Sequence, residues 1–278
     1  MKQPVLINGR QASALPVTDR GLQYGDGLFE TMAVFDGRCP WFDRHYERLV
    51  TSCDRLAINP PEKALLFAEV SQLAGGQTRA VIKIIHTRGS GGRGYRTPAQ
   101  SAQTSRIVMR FPWPAYPAAY WREGIRLFPC RTRLGCNPAL AGLKHLNRLE
   151  QVIARQEWTD DDFAEGLMSN HEGYVVEGIM SNVFWRRDAV LYTPDLQQCG
   201  VEGVMRRWVL ARAKKQGVEV RVCSETEAAL QRADELFLSN SLIGLWPVKE
   251  FAGVRYPVGT LCQSLLHELV ETYPVTNA

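Results

Sequence analysis

A chain of 278 residues with 45% hydrophobic and 22% charged content is composed like an ordinary globular protein and is long enough for two domains. Its net charge of +4 comes without any Lys/Arg-rich run, which excludes a nucleic-acid footprint; no apolar run is long enough to span a membrane, and the start MKQPVLINGR does not read as a signal peptide, so a cytoplasmic protein is expected. The seven cysteines are odd in number and lack any C-x-x-C spacing, and the five histidines lack ligand spacing, so neither a disulfide framework nor a metal site is expected.

In chain order, Val5-Leu6-Ile7 reads as a strand entering an Asn8-Gly9 hairpin turn, and Glu30 to Phe35 as a second strand closed by Asp36-Gly37. Asp43 is placed to cap a helix running to about Ile58, where Pro60 and Pro61 stop it; Glu62 to Ala74 reads as another helix, ended by Gly75-Gly76. Residues 78–87 and 105–111 are rich in branched apolar side chains and read as strands. The run Phe111 to Tyr120 carries three prolines and no period, which suggests a linker at 112–120 between a domain of residues 1–111 and a second of residues 121–278. Strands are expected there at 124–130, 162–169, 174–185, 189–193, 217–223, 234–239 and 243–250, and helices at 145–158, 203–216, 224–232 and 257–272. Many strands with few intervening helices suggest an α+β layout whose second domain is largely antiparallel and barrel-like.

Four places could carry chemistry. Lys144 follows Pro138 and Gly142, which break helix, and precedes Leu146, Leu149 and Ile153 at helical steps. A helix start there would disfavour the ammonium and lower its pKa, making the amine available as a nucleophile; a solvated surface lysine fits the same pattern. Val201-Glu202-Gly203-Val204-Met205 opens an amphipathic helix whose free amides at Val204 and Met205 suit a phosphate, although loop-to-helix joins are common without ligands. Glu177 lies in a predicted hairpin among apolar neighbours, where a carboxylate needs a partner unless it faces solvent at an edge. Gly89 to Gly94 formally matches the dinucleotide-binding G-x-G-x-x-G, but no helix start and no properly placed acidic residue follow it. What remains is a permissive loop holding Arg88, Arg93, Tyr95 and Arg96, able to approach an anion or to serve as a hairpin tip. Only seven of the 33 basic residues are lysine, and arginine suits bidentate contact with a small anionic ligand.

Together these pieces form a pattern. Glu177-x-Ile179-x-x-Asn182-Val183-Phe184, then Leu191-x-Thr193, then Val201-x-Gly203-Val204-x-Arg206 resembles the signature of the class IV, pyridoxal-phosphate-dependent aminotransferase-like enzymes. Gln23-Tyr24-Gly25-Asp26-Gly27-Leu28-Phe29-Glu30-Thr31 and His45-x-x-Arg48-Leu49 extend the likeness, which runs from about Leu6 to Trp246. The resemblance implies a two-domain fold of type IV, with a smaller N-terminal α/β sandwich and a larger C-terminal pseudo-barrel domain carrying a Schiff-base lysine, Lys144. It further implies a homodimer and bound pyridoxal 5'-phosphate. Arg48 and the amides of Val204 and Met205 would contact the phosphate, with a hydroxyl near Ser241; Glu177 would face the pyridine nitrogen, and Asn182 would join the cofactor-binding set. Arg88 to Tyr95 and Gly142 to Glu150 resemble the lyase branch of the family more than its transaminases. That branch converts 4-amino-4-deoxychorismate to 4-aminobenzoate and pyruvate; a transaminase of D-amino or branched-chain amino acids is the alternative. Tyr24, Arg93 and Tyr95 are candidates for the substrate's two carboxylates.

Overall fold

A computed structural model describes residues 4–97, 103–159 and 162–276. They fall into two compact units, Met1–Pro114 with Leu143–Asn147, and Ala115–Gly142 with Arg148–Ala278. In the first, β1 (Val5–Ile7) and β2 (Arg10–Gln11) make the expected hairpin, with Asn8 and Gly9 both at positive φ as such a turn requires. Then follow α1 (Arg20–Tyr24), β3 (Gly27–Phe35), α2 (Phe42–Leu56), α3 (Lys63–Ala74), β4 (Arg79–Thr87) and β5 (Ser105–Pro112). The strands pair antiparallel in the order β2-β1-β5-β4-β3, leaving β3 at an edge. The helix α2 packs on β3, turning Phe42, His45, Leu49 and Cys53 inward at steps of three and four. Asp43 is not its cap: Trp41 takes that position, and Asp43 in the first turn pairs with Lys63 at 2.7 Å.

The second unit contains α4 (Ala119–Arg122), β6 (Ile125–Leu134), α5 (Leu149–Arg155), β7 (Phe163–Asn170), β8 (Val175–Gly178), β9 (Asn182–Arg187), β10 (Val190–Pro194), α6 (Val204–Lys215), β11 (Glu219–Cys223), α7 (Glu227–Leu230), β12 (Glu235–Asn240), β13 (Gly244–Phe251), β14 (Val254–Arg255) and α8 (Thr260–Val270). Its sheet runs β11-β10-β9-β12-β13-β6-β7-β8, with β14 on β13, and curls into a half-barrel. Most neighbours are antiparallel, as expected; β6 is parallel to both β13 and β7, and β11 to β10. Trp185, Trp246, Leu236, Leu238 and Phe251 are buried in one continuous core. The end of the proline-rich run belongs to this core, since Tyr116 and Tyr120 set their ring edges against Trp246. Trp121 beside them donates its indole N–H to the Ile243 carbonyl at 2.8 Å.

The helix expected to open near Lys144 begins only at Leu149. Residues 143–147 are instead drawn along the open edge of β3: Phe29 N–H donates to the Lys144 carbonyl at 2.9 Å, Leu146 N–H donates to the Gly27 carbonyl at 3.1 Å, and Leu28 bridges His145. Sheet hydrogen bonds therefore satisfy the backbone that a helix would otherwise have to satisfy. Leu149 and Ile153, which marked the helical spacing, are exposed together with Val152.

Glu235 of β12 supplies the cap of α8, accepting from the Cys262 and Leu261 amides at 2.5 and 3.4 Å. Gly259 leaves room for it, because a Cβ there would lie 1.9 Å from the Glu235 carboxyl carbon. Gly259→Ala is expected to lower unfolding free energy by about 1–3 kcal/mol through overpacking, read as a lower urea midpoint.

Candidate active site

In the second unit, the backbone of one residue is gripped on both sides of its Cα. Glu177, near the end of β8, accepts the Val201 N–H through Oε2 at 2.7 Å; Asn182, at the start of β9, donates Nδ2–H to the Val201 carbonyl at 2.9 Å. Both side chains are buried, so the solvated-edge alternative for Glu177 does not hold. Val201 leads through Glu202 to Gly203, the N-cap of α6, which has no side-chain cap bond and no acidic residue in its first turn. The free amides at Val204 and Met205 thus begin a helix of 12 residues with its positive end uncompensated. A Cβ on Gly203 would fall 2.1 Å from Asn182 Oδ1, so the residue that clamps Val201 also dictates a glycine here. Arg206 in the same turn is turned away to the Pro194 carbonyl at 2.9 Å.

Lys144, expected on the C-terminal domain, packs within the first unit, where its Nζ sits 4.4 Å from the centroid of the Phe29 ring. The amine is half-buried beside that aromatic face. The helix-start argument for an uncharged amine has no basis, because no helix begins within four residues of it.

Beneath that strip, β3 alternates inward at Leu28, Glu30, Met32 and Val34, which points a carboxylate into the core. The polar residues of α2's buried face meet it there. Arg48 donates Nε–H and Nη2–H to the two Glu30 oxygens at 2.8 and 2.5 Å, and His45 Nδ1 lies 2.7 Å from Glu30 Oε2. Burial opposes ionisation of Glu30, yet Arg48 and His45 outweigh it and hold the carboxyl down at about 2. Burial lowers the His45 pKa despite Glu30, so the imidazole is neutral near pH 7 and donates from Nδ1. Its buried Nε2 has no hydrogen-bond partner among the described residues.

The loop candidates divide into anchors and free groups. Asp26 binds Arg20 Nε at 2.8 Å and receives Arg88 through Nε and Nη2 at 2.8 and 3.0 Å, while Arg88 also donates to the Leu56 and Ala57 carbonyls. Arg88 is therefore a brace and not a free anion ligand. Arg20 donates to the Gly94 carbonyl at 3.0 Å and lies 4.8 Å over the Tyr24 ring, whose hydroxyl accepts the Gly94 N–H. Tyr95 meets Tyr24 edge-on with ring centroids 5.7 Å apart, and Arg93 is exposed beside them. Part of the run after Arg96, read as no helix start, lies outside the described residues.

Ser241 is half-buried, and its carbonyl accepts the Tyr273 hydroxyl at 2.7 Å; Ser239, two residues earlier on β12, has a buried hydroxyl with no partner among the described residues. Sequence reasoning missed the roles of Glu30 and His45. The strand's period-two alternation carried the signal for Glu30, since an acid on the inward parity demands a cation.

The chain belongs to the amino-transferase class IV family, whose model matches residues 27–251. It is 36% identical over 263 residues to the aminodeoxychorismate lyase of Vibrio harveyi, covering 93% of this chain and 97% of that one. The crystal structure of 4-amino-4-deoxychorismate lyase from Pseudomonas aeruginosa matches with 48% identity and a TM-score of 0.92, over 96% of this chain and 98% of that one. The branched-chain amino acid aminotransferase structure from Escherichia coli shares the fold at 24% identity and a TM-score of 0.86, over 99% and 97%.

Because the folded pKa of Glu30 lies below its unfolded value of 4.5, its stabilising contribution is complete above that value and lost as pH falls toward about 2. The contribution is about 3 kcal/mol. Glu30→Gln, which leaves Arg48 buried without its anion, is expected to lower unfolding free energy at pH 7 by about 3–5 kcal/mol and to flatten the acid dependence of the urea midpoint.

Proposed function

We propose that this chain is a pyridoxal-phosphate-dependent lyase that converts 4-amino-4-deoxychorismate to 4-aminobenzoate and pyruvate. The observation that carries the reading is the doubly held Val201 backbone, which sets a buried carboxylate beside an uncapped helix start. The similarity to the V. harveyi and P. aeruginosa lyases favours this branch over the transaminases.

The residues fit the cofactor. The α6 amides at Val204 and Met205 are donors without side-chain competition and suit a phosphate; Arg48 is a phosphate contact in this proposal by the family resemblance. The Ser241 hydroxyl is a further phosphate contact in this proposal. The Glu177 carboxylate suits a protonated pyridine nitrogen and would hold the proton there. Asn182 serves by keeping Val201 and Gly203 in place. When bound, pyridoxal phosphate supplies an electron sink.

Lys144 would hold the cofactor covalently and then, freed, take the proton from the substrate carbon that bears nitrogen. It would return a proton to the enolpyruvyl group as this departs as pyruvate, leaving an aromatic ring. Tyr24, Arg93 and Tyr95 are the proposed donors to the substrate carboxylates, with Arg20 and Asp26 holding Tyr24 and Gly94 in position. A second copy of the chain is the proposed partner, through the exposed Leu149, Val152 and Ile153 of α5. A cytoplasmic location accords with seven free cysteines. Among the described residues, no helix is long and apolar enough to cross a membrane.

Purified protein given aminodeoxychorismate and no keto acid is expected to release pyruvate and 4-aminobenzoate in equal amounts. Amino transfer to a keto acid without pyruvate release would instead identify a transaminase. Lys144→Ala should reduce turnover by on the order of 10³-fold or more, and borohydride reduction of the cofactor-loaded wild type should label the peptide containing Lys144.

A further inference from the structure

One buried carboxylate of the second unit has no place in the roles above. Glu165, on β7, is 2% exposed and makes no ion pair with lysine or arginine among the described residues. Its partners are all neutral donors. Oε1 accepts the Gly166 N–H at 2.9 Å, and Oε2 accepts the Met180 N–H at 3.2 Å and the Ser181 hydroxyl at 2.9 Å. Burial pushes the carboxyl up to about 7 against these bonds.

Register explains the geometry. β7 pairs antiparallel with β8, Met168 opposite Glu177 and Leu167 opposite Gly178, so the first residues of β7 run on past the end of β8. The turn from Gly178 to Ser181 folds back over that overhang. Three of its amides are spoken for: Gly178 N–H goes to the Ser181 carbonyl at 2.7 Å, Ile179 N–H to the Gly166 carbonyl at 3.0 Å, and Met180 N–H to Glu165. Gly178 cannot be replaced without intrusion, since a Cβ would lie 2.2 Å from Ser181 Oγ and 3.2 Å from the Glu165 carboxyl carbon.

This turn is the only covalent path between Glu177 and Asn182, the two side chains that grip Val201. We propose that Glu165 is a positioning residue: by anchoring the Met180 amide and the Ser181 hydroxyl it sets the spacing of Glu177 and Asn182, and through Val201 the aim of the α6 amides. The assignment rests on the cofactor reading above. All three of these partners donate, and the ionised carboxylate can accept from each; a carboxamide would set an N–H against at least one of them.

The test uses Glu165→Gln and, as a milder change that keeps the carboxylate, Ser181→Ala. Amide hydrogen exchange is followed at residues 178–182 and 201–205, and pyridoxal phosphate is titrated into cofactor-stripped protein. Glu165→Gln is expected to exchange at least ~10-fold faster at both segments and to bind cofactor ~10 to 100-fold more weakly, with a changed absorption band and kcat falling more than KM rises. Ser181→Ala should shift the same quantities in the same direction by less. Wild-type exchange, affinity and absorption in a folded Glu165→Gln protein would overturn the assignment. If Glu165→Gln fails to fold, an unchanged Ser181→Ala protein overturns it. Should wild-type protein bind no pyridoxal phosphate, the cofactor reading fails, while exchange at 201–205 still decides whether Glu165 governs that segment.

Discussion

The structure depends on how the backbone of one residue, Val201, is held on both sides of its Cα. Its N–H goes to a carboxylate and its carbonyl to an amide side chain, and these two side chains stand at opposite ends of one four-residue turn. Buried polar backbone must find partners, and here the partners are chemistry-bearing residues. The same contacts fix where α6 starts. A carboxylate and an anion-attracting helix end are therefore kept in register by hydrogen bonds a few ångströms long.

The first unit solves a different problem. Its edge strand β3 would leave open backbone groups, and the strip 143–147 covers them, bringing Lys144 onto the Phe29 ring. Inside the same strand, Glu30 is matched by Arg48 and His45 from α2, so a helix with polar residues on its buried face is still compatible with a core. Desolvation opposes such a buried pair, and here the attraction of Arg48 and His45 outweighs it.

Much of this was legible in sequence. The Asn8-Gly9 hairpin, the paired helices of the first unit and the strand succession of the second follow from local chemistry: turn residues at positive φ, proline stops and apolar alternation. Glu177, Asn182, Val204 and Met205 stand out in sequence because their spacing is a motif, and their mutual geometry is local to a hairpin and a loop. The failures share one cause. Leu146, Leu149 and Ile153 have helical period, but residues 143–147 pair with a strand more than 100 positions earlier, and no local period reports a partner that distant. Arg88 looked available for an anion until Asp26 and the end of α2 were seen to occupy it. Glu165 carried no signal, because its three bonds join backbone and hydroxyl groups brought together by strand register.

The donors at the head of α6 belong to the main chain, and a main-chain donor is invisible to point substitution. This chain carries the fully buried Met205 there, and the amide it presents does not depend on that side chain. Drift can therefore erase the side-chain vocabulary at positions 204 and 205 while the shape persists. What must stay is what sculpts that shape, the missing Cβ of residue 203 and the carboxamide that fills its space.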